Sequence, residues 1–89
     1  MKTDIIYRAI EAFGHGRQWD IVQEECGELV AAVNHYRRRK ISADDLASEI
    51  ADVIIMSEQA RIMCGESLVD AAVGRKLRRL AERIEAVKP

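Results

Sequence analysis

An all-α fold, an antiparallel helical bundle of about four helices completed by oligomerisation, is what this 89-residue sequence predicts. Three observations carry that expectation. The only proline is the terminal Pro89, so no interior position blocks a helix. No stretch alternates apolar and polar residues long enough to make a strand, whereas apolar residues recur at three- and four-residue spacing. With 48% hydrophobic and 33% charged residues, the chain can build one small domain, residues 1–89, yet is short enough to leave apolar surface for a neighbour. A homodimer or homotetramer is therefore expected.

Each element follows from its own pattern. Asp4 starts a short first helix with Ile6, Ala9, Ile10 and Phe13 as its apolar stripe, and Gly14-His15-Gly16 is expected to stop it. This helix reads as a flank. A long second helix is predicted from about Gln18 to about Arg39, with Val22, Cys26, Leu29, Val30, Val33 and Tyr36 in a narrow arc. Ser42 with Asp45 resembles a capping box, which places the start of a third helix there and lets it run to about Cys64. It is apolar on most sides, as a central helix would be. Gly65 ends it, Ser67 is a candidate cap for a fourth, and Val69, Val73, Leu77, Leu80, Ile84 and Val87 form that helix's stripe.

Acidic residues interrupt this scheme twice. Glu24, Glu25 and Glu28 fall in helix two, and Glu49 and Asp52 in helix three. Residues three apart share a helix face, so Glu25 pairs with Glu28, and Glu49 with Asp52. The second pair lies on the arc that also holds Met56, Ala60 and Met63. A carboxylate in apolar surroundings either takes up a proton or finds a cation. Four of them converging between helices would suit a hard, oxygen-preferring ion, Mg²⁺ or Mn²⁺. For a single Glu the plainer explanation is solvated surface, but two pairs on two helices are harder to explain that way. Glu24 turns further toward solvent.

The motif E-E-x-x-E, a spacer, then E-x-x-D resembles the MazG-like nucleoside triphosphate pyrophosphohydrolases of the all-α NTP pyrophosphatase superfamily. The resemblance extends through EECGEL, EIADVIIM and KLRRLAERI, covers roughly Gln18 to Ile84, and is to the short, single-domain branch. It implies Mg²⁺-dependent hydrolysis of a (deoxy)nucleoside triphosphate to monophosphate and pyrophosphate, in a nucleotide-pool house-cleaning role. By motif position Glu25, Glu28, Glu49 and Asp52 would be metal ligands, and Glu24 a second-metal or water-orienting residue. Lys76 and Arg79 in KLRRL, with Arg83 one turn on, would meet the phosphates. Leu80 stands where larger members often carry Asn.

Other classes are weighed against that one. The net charge is -1, and the basic run Arg37 to Lys40 lacks interleaved aromatics, so nucleic acid is disfavoured and a helix C-terminus complementing its dipole is the simpler account. No Glu-x-x-His pair appears, which argues against a di-iron carboxylate bundle. Phosphoribosyl-ATP pyrophosphohydrolase is a nearer rival, and a non-catalytic metal- or nucleotide-binding interaction module is a rival of another class. Cys26 and Cys64 lack CxxC spacing and read as core filler. His15 reads as loop and His35 as surface, while Trp19 and Tyr36 suit core or interface better than base stacking. With neither a signal pattern nor a spanning apolar run, a cytoplasmic protein without membrane contact is expected.

Overall fold

The computed structural model describes residues 3–88, with side chains from Asp4 onward. It is all helix, and no strand occurs among the described residues: α1 is Thr3–Phe13, α2 His15–Arg37, α3 Ala43–Cys64 and α4 Glu66–Ala86.

Single glycines make two of the three breaks. Gly14, at φ 85°, lies between α1 and α2, and Gly65, at φ 134°, between α3 and α4. L side chains rarely adopt such conformations, so glycine bends the chain there at least cost. The expected three-residue stop at Gly14-His15-Gly16 is corrected: only Gly14 is outside a helix, and His15 opens α2 instead of lying in a loop. Likewise Ser67 does not cap α4. It lies inside the first turn, and Gly65 serves as the end of α3 and the start of α4 at once.

The third break is built from side chains. Ser42 Oγ accepts from the Asp45 amide and the Asp45 carboxylate accepts from the Ser42 amide, each at 3.1 Å. Together they satisfy two donors that a helix start leaves open, so the expected capping box is present. The preceding turn closes with the Lys40 amide donating to the His35 carbonyl at 2.8 Å.

α2 and α3 share the main interface, α1 rests on both, and α4 packs on α3, with Glu66 at its start also meeting Tyr7 of α1. Of the four apolar residues that are well buried among the described residues, Ile6 and Ile10 come from α1, Ala32 from α2 and Met56 from α3. α1 is thus a core element rather than the flank that the sequence suggested. The α2 stripe is only partly covered: Val22 and Leu29 are half-buried, whereas Cys26, Val30, Val33 and Tyr36 are exposed. On α4, Val73, Leu77, Leu80 and Ile84 are all exposed, as is Val87 just beyond its end. Cys64, in the last turn of α3, is exposed too. Both cysteines are therefore corrected from core filler to surface residues, since no helix of the chain covers their faces.

Where α4 leaves α3, a guanidinium bridges the break. Arg61 Nε and Nη2 donate to the two Asp70 carboxylate oxygens at 2.7 and 2.9 Å, and Nη1 donates to Glu58 at 2.7 Å. The Tyr7 hydroxyl donates to Glu66 and ties α1 to the same corner. A two-pronged guanidinium pair fixes orientation as well as distance. These bonds tie the corner together, and the rest of α4 extends away from it.

The outcome is an open shape. The radius of gyration is 16.0 Å, against about 12 Å for a compact chain of this length. The accessible surface is 6957 Å², against roughly 5,300 Å² for a compact protein of this mass. No described helix is long and apolar enough to cross a membrane.

Candidate metal centre

The site depends on how α2 and α3 are aligned. Gln18, near the start of α2, donates its side-chain amide to Gln59 Oε1, near the end of α3, and both residues are buried at 3% exposure. The helices therefore pass one another in opposite directions. Seven residues on from Gln18 is Glu25, and seven back from Gln59 is Asp52; three further along each helix lie Glu28 and Glu49. One register aligns both acidic pairs. A seven-residue step is close to two helical turns, so each glutamine lies on the same face as its acid.

Glu25, Glu49 and Asp52 each bring one carboxylate oxygen within 4.8 Å of the others. Burial pushes the Glu25 carboxyl above its ordinary value, and the charge of Glu28, the charge of Asp52 and a hydrogen bond with Glu28 add to that rise. Glu49 is raised in the same way, by burial first and then by Glu28 and Asp52. Glu28 thus acts on both residues, although it lies outside the tightest triad. Glu24 is exposed on α2 and is not part of the triad.

One oxygen of Glu25 and one of Glu49, both Oε2, are buried without a hydrogen-bond partner. Buried acceptors without donors are costly. A divalent cation with a preference for oxygen would satisfy them and offset the mutual repulsion. The donor set contains only carboxylates, with neither thiolate nor imidazole, which matches Mg²⁺ or Mn²⁺ better than zinc.

The basic residues lie elsewhere in the chain. Lys76, Arg79 and Arg83 line one surface concavity with Leu80 on α4. Among the described residues none of the three makes an ion pair. Trp19 and Tyr36 are 39% and 42% exposed.

Sequence reasoning missed the two glutamines. Gln18 is expected only as a helix start, and the seven-residue spacing of Gln59 from Asp52 is the sequence signal that points to it. Compared with models of known families, with curated proteins and with solved structures, the chain matches none.

Proposed function

We propose that this chain is a divalent-metal-dependent nucleoside triphosphate pyrophosphohydrolase of the MazG-like kind, acting on nucleotides in the cytoplasm. The observation that carries the reading is the pair of orphaned carboxylate oxygens on Glu25 and Glu49, within a cluster that repeats the E-E-x-x-E and E-x-x-D motifs. Glu25, Glu28, Glu49 and Asp52 would hold a Mg²⁺ ion, with Mn²⁺ as a substitute, which when bound would supply charge neutralisation at the phosphates and an acidified water. Glu24, exposed one position before the cluster, would orient the attacking water. Lys76, Arg79 and Arg83 neutralise the phosphate oxygens that the metal leaves uncovered.

The working unit is a dimer or a higher oligomer. The chain exposes roughly 1,700 Å² more than a compact protein of its mass, which falls in the range that each partner of an obligate interface buries. The surface concerned includes the apolar stripes of α2 and α4. Because α4 packs mainly on α3 and meets α1 only at Glu66, association also offers a route for the basic residues of one chain to reach the carboxylates of another. Copies then complete the antiparallel bundle.

The test is product analysis. Each canonical triphosphate, incubated with the protein and Mg²⁺, should yield monophosphate and pyrophosphate. Diphosphate and orthophosphate would mean that a different bond is broken, and no cleavage of any nucleotide would favour a non-catalytic metal-binding module.

A further inference from the structure

We infer that the buried Gln18–Gln59 pair is a register lock that gives the metal centre its preference for Mg²⁺ over Ca²⁺. The inference rests on the metal centre of the pyrophosphohydrolase reading and adds to it two positioning residues, each two helical turns away from the acids.

The pair costs stability where it stands. A glutamine amide has two N–H donors and an acceptor oxygen, yet the two side chains make one bond to each other and one from Gln59 Nε2 to the Met56 sulfur, a weak acceptor, at 3.4 Å. Gln18 Oε1 has no partner, although both residues are only 3% exposed. Two apolar side chains of the same shape would be at least as stable in their place. What the amides contribute is orientation, because their bond forms in one alignment of α2 and α3 only.

Little else defines that alignment. Among the described residues, the apolar side chains that α2 and α3 bury well are those of Ala32 and Met56. A methyl group and a flexible thioether pack almost as well after a small slide. The far end of the two helices is closed by the turn at Lys40 and the Ser42–Asp45 capping box. Gln18 and Gln59 anchor the other end, and Glu25 and Asp52 lie between, seven residues or about 10 Å from the amides.

Precision there matters more for one ion than for another. Mg²⁺ demands a near-ideal octahedron with oxygens at about 2.1 Å, whereas Ca²⁺ accepts six to eight oxygens at roughly 2.3–2.6 Å in flexible arrangements. Oxygens opposite one another across Mg²⁺ are thus about 4.2 Å apart, so carboxylates already within 4.8 Å of one another need draw in only slightly. Play of more than about 0.5 Å between the helices exceeds what such a site tolerates. Ca²⁺ takes up that slack with a further oxygen or water, and Mg²⁺ does not.

The test replaces both amides by methionine, which is similar in length and apolar, and titrates Mg²⁺ and Ca²⁺ separately by calorimetry without nucleotide. Gln18→Met with Gln59→Met should lower Mg²⁺ affinity about 10- to 100-fold and Ca²⁺ affinity much less, while the metal-free Tm stays level or rises. Gln18→Met alone should lower the Mg²⁺-to-Ca²⁺ ratio as far as the double variant does, because either change breaks the same bond. Ile10→Val, which trims the core contributed by α1, should lower Tm and leave the ratio unchanged. Turnover with each triphosphate separates the two readings. If the ratio collapses in the methionine variants but the wild type cleaves no nucleotide, the lock stands and the hydrolase reading falls. If the wild type cleaves triphosphates and the variants keep its ratio, or lose affinity for both ions equally, the hydrolase reading stands and the lock is overturned. A wild type that binds neither ion, or Ca²⁺ as tightly as Mg²⁺, overturns it too.

Discussion

Two carboxylate oxygens, on Glu25 and Glu49, are buried without a donor, and their neighbours are acids. A fold that holds such groups is less stable without a cation than with one. Glu28→Gln or Asp52→Asn should therefore cost roughly a hundredfold or more in turnover while raising the metal-free Tm, by about 4–8 °C for each kcal/mol of repulsion relieved. Near-normal activity of either variant at low Mg²⁺ would sink the metal centre as described. The pH dependence has a definite sign. Glu25 and Glu49 titrate above their ordinary value of 4.5 in the folded chain, so the fold holds their protons more tightly than the unfolded chain does. Their contribution is most favourable below about pH 4.5 and is lost as pH rises through the raised values. Mg²⁺ competes with the same protons, so the rise in Tm caused by added Mg²⁺ should grow across that window. Melting curves with and without Mg²⁺ at several pH values measure it, and a constant increment would contradict it. The pairing of acids within each helix was legible in the sequence because spacing alone sets it. Their meeting across two helices was not fixed by spacing, since it depends on a register pinned by Gln18 and Gln59.

Helix boundaries were legible where side chains make them and less so where backbone does. Ser42 and Asp45 announce the start of α3 because the capping box is written in residue types. At the other two breaks the sequence suggested longer interruptions, through Gly16 and up to a cap at Ser67, but one positive-φ glycine is enough to turn the chain. Gly65 is the more consequential of the pair, because it alone separates two long helices and sets where α4 points. A Cβ there would stand 3.3 Å from Leu68 Cδ1, the end of an exposed side chain, so backbone strain rather than collision sets the cost. Gly65→Ala should destabilise the chain by about 1–3 kcal/mol, whereas Gly16→Ala, helical and with open space around it, should be neutral or add up to about 1 kcal/mol. Denaturant midpoints compare them directly. Equal effects would mean that the Gly65 conformation is not what holds the corner.

At the scale of the molecule, the sequence conveyed that the chain is all helix and has more apolar surface than it can cover. It did not convey which faces stay open. Apolar stripes on α2 and α4 read alike whether they face a neighbouring helix or nothing, and the faces that α2 and α3 turn toward each other carry glutamines and acids. Light scattering at micromolar concentration should give a mass of two or four chains, and a monomer with full activity would rule out both a shared core and a shared site. The open position of α4 also bears on the order of assembly. α1, α2 and α3 are consecutive and touch one another, so their short loops close quickly and at any dilution. α4 gains few contacts until a second chain arrives, which makes its consolidation a bimolecular event. Refolding should accordingly show a fast phase indifferent to protein concentration and a slower one that accelerates with it, with catalytic activity returning only in the second. Activity returning in the fast phase would place the whole site within one chain.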